Sequence, residues 1–168
     1  MQSMRTAALL PLLETDAVKK AQATLALSDN LSPDADAIIR HPVGVPGCPS
    51  KPELVPHIQL KQRSIATVEG RAGLIHSIAH IELNAINLAL DIVWRFPGMP
   101  DQFYKDWITI AKEEARHFTL LRDHLVGMGF DYGSFQAHNA LWEMAERTKD
   151  DILARIALVP RTLEARGL

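Results

Sequence analysis

Apolar residues recur at helical spacing through most of the chain beyond about Ser64. Ile75, Ile78, Ala79, Ala85, Ile86, Ala89 and Val93 step by threes and fours. They predict a long helix from near Ala66 to Arg95, closed by Phe96-Pro97-Gly98. At 1.5 Å per residue it would be about 45 Å long. A second long helix, carrying Trp107, Ile110, Ala111, Phe118 and Leu121, is predicted from Pro100 or Asp101 to Met128, ending at Gly129. The link between the two is only a few residues, so an antiparallel hairpin is expected. Gly127, Gly129, Asp131 and Gly133 mark a turn region. A third helix is then expected from near Phe135 through Trp142, Ala145, Ile152 and Ile156. Pro160 either kinks that helix or opens a new turn.

Upstream, Leu9, Leu10, Leu12, Leu13, Val18, Ala21 and Leu25 give an apolar face to one or two short helices between Thr6 and Leu27. Pro11 interrupts that face early, and Asp16 or Thr15 is placed to cap the second piece. The next stretch changes character. Pro33, Pro42, Pro46, Pro49, Pro52 and Pro56, with Gly44 and Gly47 between them, exclude a regular helix or a central strand. An irregular Pro-rich wrap laid over the helices is expected, with His41, His57 and Cys48 as ordinary loop residues. The expected organisation is one all-α domain made of an N-terminal helical segment (1–29), the wrap (30–63) and a set of helices (64–168). No segment alternates as a β-strand would.

Two carboxylates break this pattern. Glu114 shares its helical face with Trp107, Ile110, Ala111, Phe118 and Leu121, and Glu82 shares its own with the isoleucines and alanines of the first long helix. An unpaired charge driven into a core is costly and normally needs a partner or a metal. His117, three residues after Glu114, projects from the same side one turn on. Glu-x-x-His alone is a weak signal, and its bland reading is a solvated Glu beside a hydrogen-bonded His. The apolar register of both glutamates turns the reading towards a carboxylate-bridged di-iron or di-manganese site inside a four-helix bundle. Both carboxylates are then expected inside, within a few ångströms of each other, with Glu113 in solvent.

Other chemistry-bearing residues have simpler readings. His76 and His80 have zinc-pair spacing, but no Glu stands between them where a metalloprotease needs one. Neither is in register with Glu82, so both are read as capped or surface-bonded histidines. Tyr104, Trp107 and Trp142 are read as core aromatics, and Asp91 and Arg116 as partners for nearby polar groups. No Gly-rich phosphate loop or Gly-x-Ser-x-Gly elbow is present.

Composition narrows the class further. The 168 residues carry a formal net charge of −2, and there is no basic tract of the kind that marks a nucleic-acid footprint. Cys48 is the only cysteine, which excludes an intramolecular disulfide and a cysteine zinc cluster. No apolar run is long enough to span a bilayer, and no signal peptide pattern opens the chain. A cytoplasmic protein is expected.

Several runs together resemble a known family. They are Glu69-Gly70-Arg71-Ala72, His76-Ser77-Ile78-Ala79-His80-Ile81-Glu82-Leu83, Leu88-Ala89-Leu90-Asp91, Phe103-Tyr104-x-Asp106-Trp107, Glu114-Ala115-x-His117-Phe118, Tyr132-Gly133 and the terminal Val159-Pro160-Arg161-x-Leu163-Glu164-Ala165-Arg166-Gly167-Leu168. With Lys51-Pro52-Glu53-Leu54-Val55-Pro56, they are similar to a bacterial ferritin-like family of unknown function, distantly related to di-iron tRNA hydroxylases. The resemblance covers nearly the whole chain. It implies a ferritin-like helical bundle in which Glu82 is the ligand from the first long helix, Glu114 and His117 come from the second, and Glu164 from the third. The implied cofactor is iron, two ions if the site is complete, with manganese as an alternative. The implied activity is a di-iron oxidase or hydroxylase acting on a small molecule of unknown identity. Such bundles take a second Glu-x-x-His from a fourth helix, and none follows Glu164 in this chain. The bundle is therefore expected to be incomplete, with an open groove that favours homo-oligomer formation. A metal-binding protein without turnover, and a degenerate scaffold working through self-association, are the alternatives.

Overall fold

Ser3 and Thr6 open the first helix by capping each other. The Ser3 hydroxyl accepts the Thr6 N–H at 3.3 Å, and the Thr6 hydroxyl accepts the Ser3 N–H at 2.9 Å. In this computed structural model, which describes residues 3–40 and 42–166 and side chains as far as Val159, the chain is all-helical, as its pattern predicts. The helices are α1 (Met4–Ala7), α2 (Leu9–Leu13), α3 (Ala17–Leu25), α4 (Val68–Arg95), α5 (Asp101–Gly127), α6 (Ala140–Arg147) and α7 (Ile152–Arg166), with a 3-10 turn at His57–Gln59. Among the described residues there is no strand, only an isolated parallel bridge between Leu54 and Ala137. No helix among them is long and apolar enough to cross a membrane. His41 lies outside the described residues.

Three details of the sequence reading change. The N-terminal helix starts at Met4 rather than Thr6, and Pro11 does not interrupt it. Pro11 sits in the first turn of α2, where its missing N–H has no intrahelical acceptor to lose. The expected third helix is instead two, and the break falls at Thr148–Asp151 rather than at Pro160. There the Thr148 hydroxyl turns back onto the Met144 and Ala145 carbonyls at 3.0 and 3.2 Å. The Asp151 carboxylate accepts the N–H groups of Leu153 and Ala154 at 2.9 and 3.0 Å, starting α7. Phe135 to His138 is not helical at all, because the Ala137 backbone is bonded to Glu53 and Val55.

The third change concerns which face of each long helix is the core. On α4 the fully buried stripe is Ala72, His76, Ala79, Leu83, Ile86, Leu90 and Val93, alternating steps of four and three. On α5 it is Tyr104, Ile108, Ala111, Ala115, Phe118 and Leu125. Glu82 and Glu114 each stand one position, about 100° of helix, from these stripes. They are consequently half-buried rather than core, while Glu113 is exposed as expected. Tyr104 and Trp142 are buried, and Trp107 is half-buried.

The chain divides into two compact units, and the division falls within α4 and α5. One unit comprises Met1–Ser50 and Ala85–Thr119. Its organising side chain is Arg5, 1% exposed, whose guanidinium donates to the Val93 and Trp94 carbonyls at the end of α4 and to the carbonyls of Asp34, Ala35 and Ala37. A cation among helix C-terminal carbonyls is favourably placed. Lys20 is likewise buried, donating to the Leu12 and Gly47 carbonyls at 3.0 Å and to Asn87 Oδ1. Asp91 binds Arg95 and the Trp94 indole N–H, which satisfies its buried carboxylate.

The other unit comprises Lys51–Asn84 and Leu120–Leu168. Ala72, Leu125 and Phe135 form its core, with Ile75, Met128 and Phe130 packed against them. Gly129, at φ +86°, ends α5 and lets the Phe130 N–H reach the Leu125 carbonyl at 3.0 Å. Arg155 is fully buried and ties α7 to α6 through the Thr148 hydroxyl and the Ala145 carbonyl.

Candidate metal centre

Helix register sets the candidate ligands. Glu114 and His117 are three apart on α5, and His117 Nδ1 lies 3.1 Å from Glu114 Oε2. The Glu114 side chain is 23% exposed and that of His117 is 54% exposed. Glu82, on α4, is half-buried. Glu114 and His117 belong to the unit formed by Met1–Ser50 and Ala85–Thr119, and Glu82 to the unit formed by Lys51–Asn84 and Leu120–Leu168. Ligands on a common ion with bonds of ~2.1 Å stand roughly 3–4 Å apart, and the Glu114–His117 pair has that spacing. Two carboxylates and an imidazole suit iron or manganese. The fourth expected ligand, Glu164, lies on α7, and its side chain is outside the described residues.

A second polar cluster went unread in the sequence. His80 Nδ1 lies 2.8 Å from the Tyr132 hydroxyl, and His80 Nε2 lies 3.0 Å from the His138 carbonyl. Asn84 Nδ2 stands 3.1 Å from the same Nε2, so Tyr132, His138 and Asn84 together hold the ring. The Asn84 side-chain amide donates to the His80 carbonyl at 3.1 Å. Burial pulls the His80 imidazolium down to a pKa of about 4. His76 is not surface-bonded but fully buried on the core stripe, stacked on the Tyr132 ring at 5.3 Å. Its Nε2 accepts the Gly133 N–H at 2.9 Å. Its Nδ1, which must then carry the proton of the neutral ring, is buried without a hydrogen-bond partner. Burial first, and then the neighbouring His80 and Arg63, bring the His76 pKa down to about 4. The signal for His76 was present as its place in the four-three spacing of buried positions. Nothing local to the sequence paired His80 with Tyr132.

His57, exposed on the 3-10 turn, meets His138 edge to face, with ring centroids 5.1 Å apart. Cys48 is an exposed free thiol. Asp91 binds Arg95 and the Trp94 indole N–H.

Comparison with known proteins adds family membership. An uncharacterized protein of Haemophilus influenzae is 52% identical over 127 residues, covering 71% of this chain and 44% of the relative. The chain thus spans less than half the length of that relative. No solved structure matches it. The sequence model of a protein family of unknown function, DUF455, matches residues 13–168, and the chain belongs to that family.

Proposed function

We propose that this chain is a ferritin-like metal-binding protein in which Glu82, Glu114 and His117, with Glu164 as a fourth ligand, hold iron or manganese for oxidase or hydroxylase chemistry on a small molecule. The observation that carries the reading is the Glu114–His117 pair, an imidazole nitrogen 3.1 Å from a half-buried carboxylate one turn away on α5. Bound there, the metal would supply activation of dioxygen. Glu114 has a role of its own. By accepting the Nδ1 proton of His117 it fixes the ring tautomer and leaves Nε2 as the donor nitrogen. The test is metal stoichiometry together with a melting curve. A metal that binds only the folded chain stabilises it by about 2.7 kcal/mol at a hundredfold excess over Kd. Glu114→Ala and Glu82→Ala should each abolish that shift. Identical melting curves with and without saturating Fe(II) or Mn(II) would sink the reading.

A second reading rests on the exposed leucines Leu74, Leu153 and Leu158, at 51%, 77% and 53%. It makes the chain a scaffold that self-associates through apolar side chains. Sedimentation across a concentration series tests it, and a concentration-independent monomer excludes it.

A further inference from the structure

A cavity of about 600 Å³ lies within the unit formed by Lys51–Asn84 and Leu120–Leu168. Its size falls in the range of pockets that enclose small organic ligands. On α4 its wall is Ser77, Ile81 and Asn84, at i, i+4 and i+7, together with His80. Glu82 is not part of the wall. It is two residues from both His80 and Asn84, a rotation of about 200° around the helix. The cavity is therefore walled by a different side of α4 from the one that carries Glu82.

The chemistry of the wall selects the ligand. Much of it is hydrocarbon, from Leu60, Ile81, Ala140, Leu141, Met144 and Val159. No Asp, Glu, Lys or Arg is among the lining residues. An ion entering such a space would lose its hydration without gaining a counter-charge, a cost that rises steeply with burial. Acceptors remain among its polar groups. Asn84 Nδ2 lies 3.1 Å from both the His80 carbonyl and His80 Nε2, and Oδ1 is left to accept. The Ser77 hydroxyl donates to the Leu74 carbonyl at 2.7 Å and keeps its lone pairs. The Gln136 amide N–H is directed to Glu53 at 2.8 Å, which sets a carboxylate beside the wall and disfavours an anion further. The wall is also held in place. The Tyr132 hydroxyl and the His138 carbonyl fix the His80 ring, and the Leu54–Ala137 bridge fixes the segment carrying Gln136 and His138. Pre-organisation of this kind lowers the ordering cost of binding.

We propose that this cavity is a binding site for an uncharged, mainly hydrocarbon molecule with a hydroxyl head, whose O–H donates to Asn84 Oδ1. The experiment compares three probes with the same body, 1-decanol, decanoate and decylamine, by displacement of the neutral dye Nile red at pH 7.5. Decanol should displace the dye at least tenfold more tightly than either charged analogue. Ser77→Phe adds a ring to the α4 wall of the cavity from an exposed position, and Ala140→Phe adds one to the wall at the start of α6. Each should weaken decanol binding at least tenfold, with the circular-dichroism spectrum confirming that the helices are retained. Should one variant fail to fold, the other carries the test. Equal displacement by all three probes, no displacement by decanol, or unchanged binding in a folded variant overturns the proposal.

Discussion

His76 Nε2 accepts the backbone N–H of Gly133 at 2.9 Å, which joins the core stripe of α4 to the turn that follows α5. Because that nitrogen must stay unprotonated to accept, the contact makes a fully buried imidazole neutral by construction. The stacked Tyr132 ring covers it, and the proton on Nδ1 has no acceptor. The arrangement is specific to the neutral ring and intolerant of acid.

Acid should therefore unfold this region through His76. Its pKa is about 4 in the folded chain against 6.5 as the ordinary value, so between those pH values the unfolded state binds the extra proton. Stability is complete above pH 6.5 and is lost as pH falls through 4. The full shift corresponds to roughly 3 kcal/mol. Urea midpoints for the wild type and His76→Gln at pH 7 and pH 4.5 would measure it. The wild type should lose more stability than the variant over that interval, and parallel losses would contradict the assignment.

Lys20 gives the opposite end of the pH scale. Burial lowers its pKa to about 8 from 10.5, so the unfolded chain holds the extra proton between those values. Stability should rise as pH goes from 8 to 10.5, by roughly 3 kcal/mol relative to a chain without the amine. Lys20→Met supplies that reference. The difference in denaturation free energy between wild type and variant should grow in favour of the wild type across the window, and a flat difference would refute it.

Arg5 is expected to be the costliest polar side chain to replace in its unit. Five carbonyls, three from the 34–37 segment and two from the end of α4, accept from one guanidinium. In Arg5→Met those acceptors lose their donor, at about 1–3 kcal/mol for each that stays buried. Arg5→Lys should recover little, because an ammonium lacks the planar fork that spans them. Denaturant midpoints for both variants test this, and a Lys variant as stable as wild type would overturn it.

How much of the fold was legible in the sequence depends on where the information sits. The bounds of α4 and α5 are written locally, in Pro97-Gly98, Asp101 and Gly129, and the Asp16 cap of α3 is equally local. The phase of the core was harder to read. On α4 the half-exposed Ile75, Ile78 and Ile81 advertise an apolar stripe more strongly than the buried alanines Ala72 and Ala79 do. Following the isoleucines places Glu82 inside the core, whereas following the alanines places His76 there. The break between α6 and α7 depends on hydroxyl and carboxylate caps at Thr148 and Asp151, inside a run whose apolar spacing carries straight through. The His80–Tyr132 pair is 52 residues apart in sequence, and only the closed turn at Gly133 brings it together.

That turn permits a test in which two glycines share one strain and differ in one contact. Gly129 and Gly133 both have positive φ, +86° and +99°, so alanine at either adopts a backbone region that L side chains rarely occupy. A Cβ at Gly129 would meet nothing within 4 Å, and Gly129→Ala should cost about 1 kcal/mol from backbone strain alone. A Cβ at Gly133 would stand 2.9 Å from Lys51 Cβ, closer than real Cβ atoms approach, so one of the two segments must move. The movement cannot be confined to the turn, because the Gly133 N–H is the donor to His76 and the neighbouring Tyr132 ring covers that imidazole. Gly133→Ala should therefore combine the backbone strain, the close contact and the loss of part of the hydrogen bond, in total roughly 2–4 kcal/mol. It should also raise the His76 pKa towards its ordinary value as water gains access, which NMR titration of the ring would read directly. Equal destabilisation by the two alanines, with an unmoved His76 titration, would show that the turn does not hold the histidine.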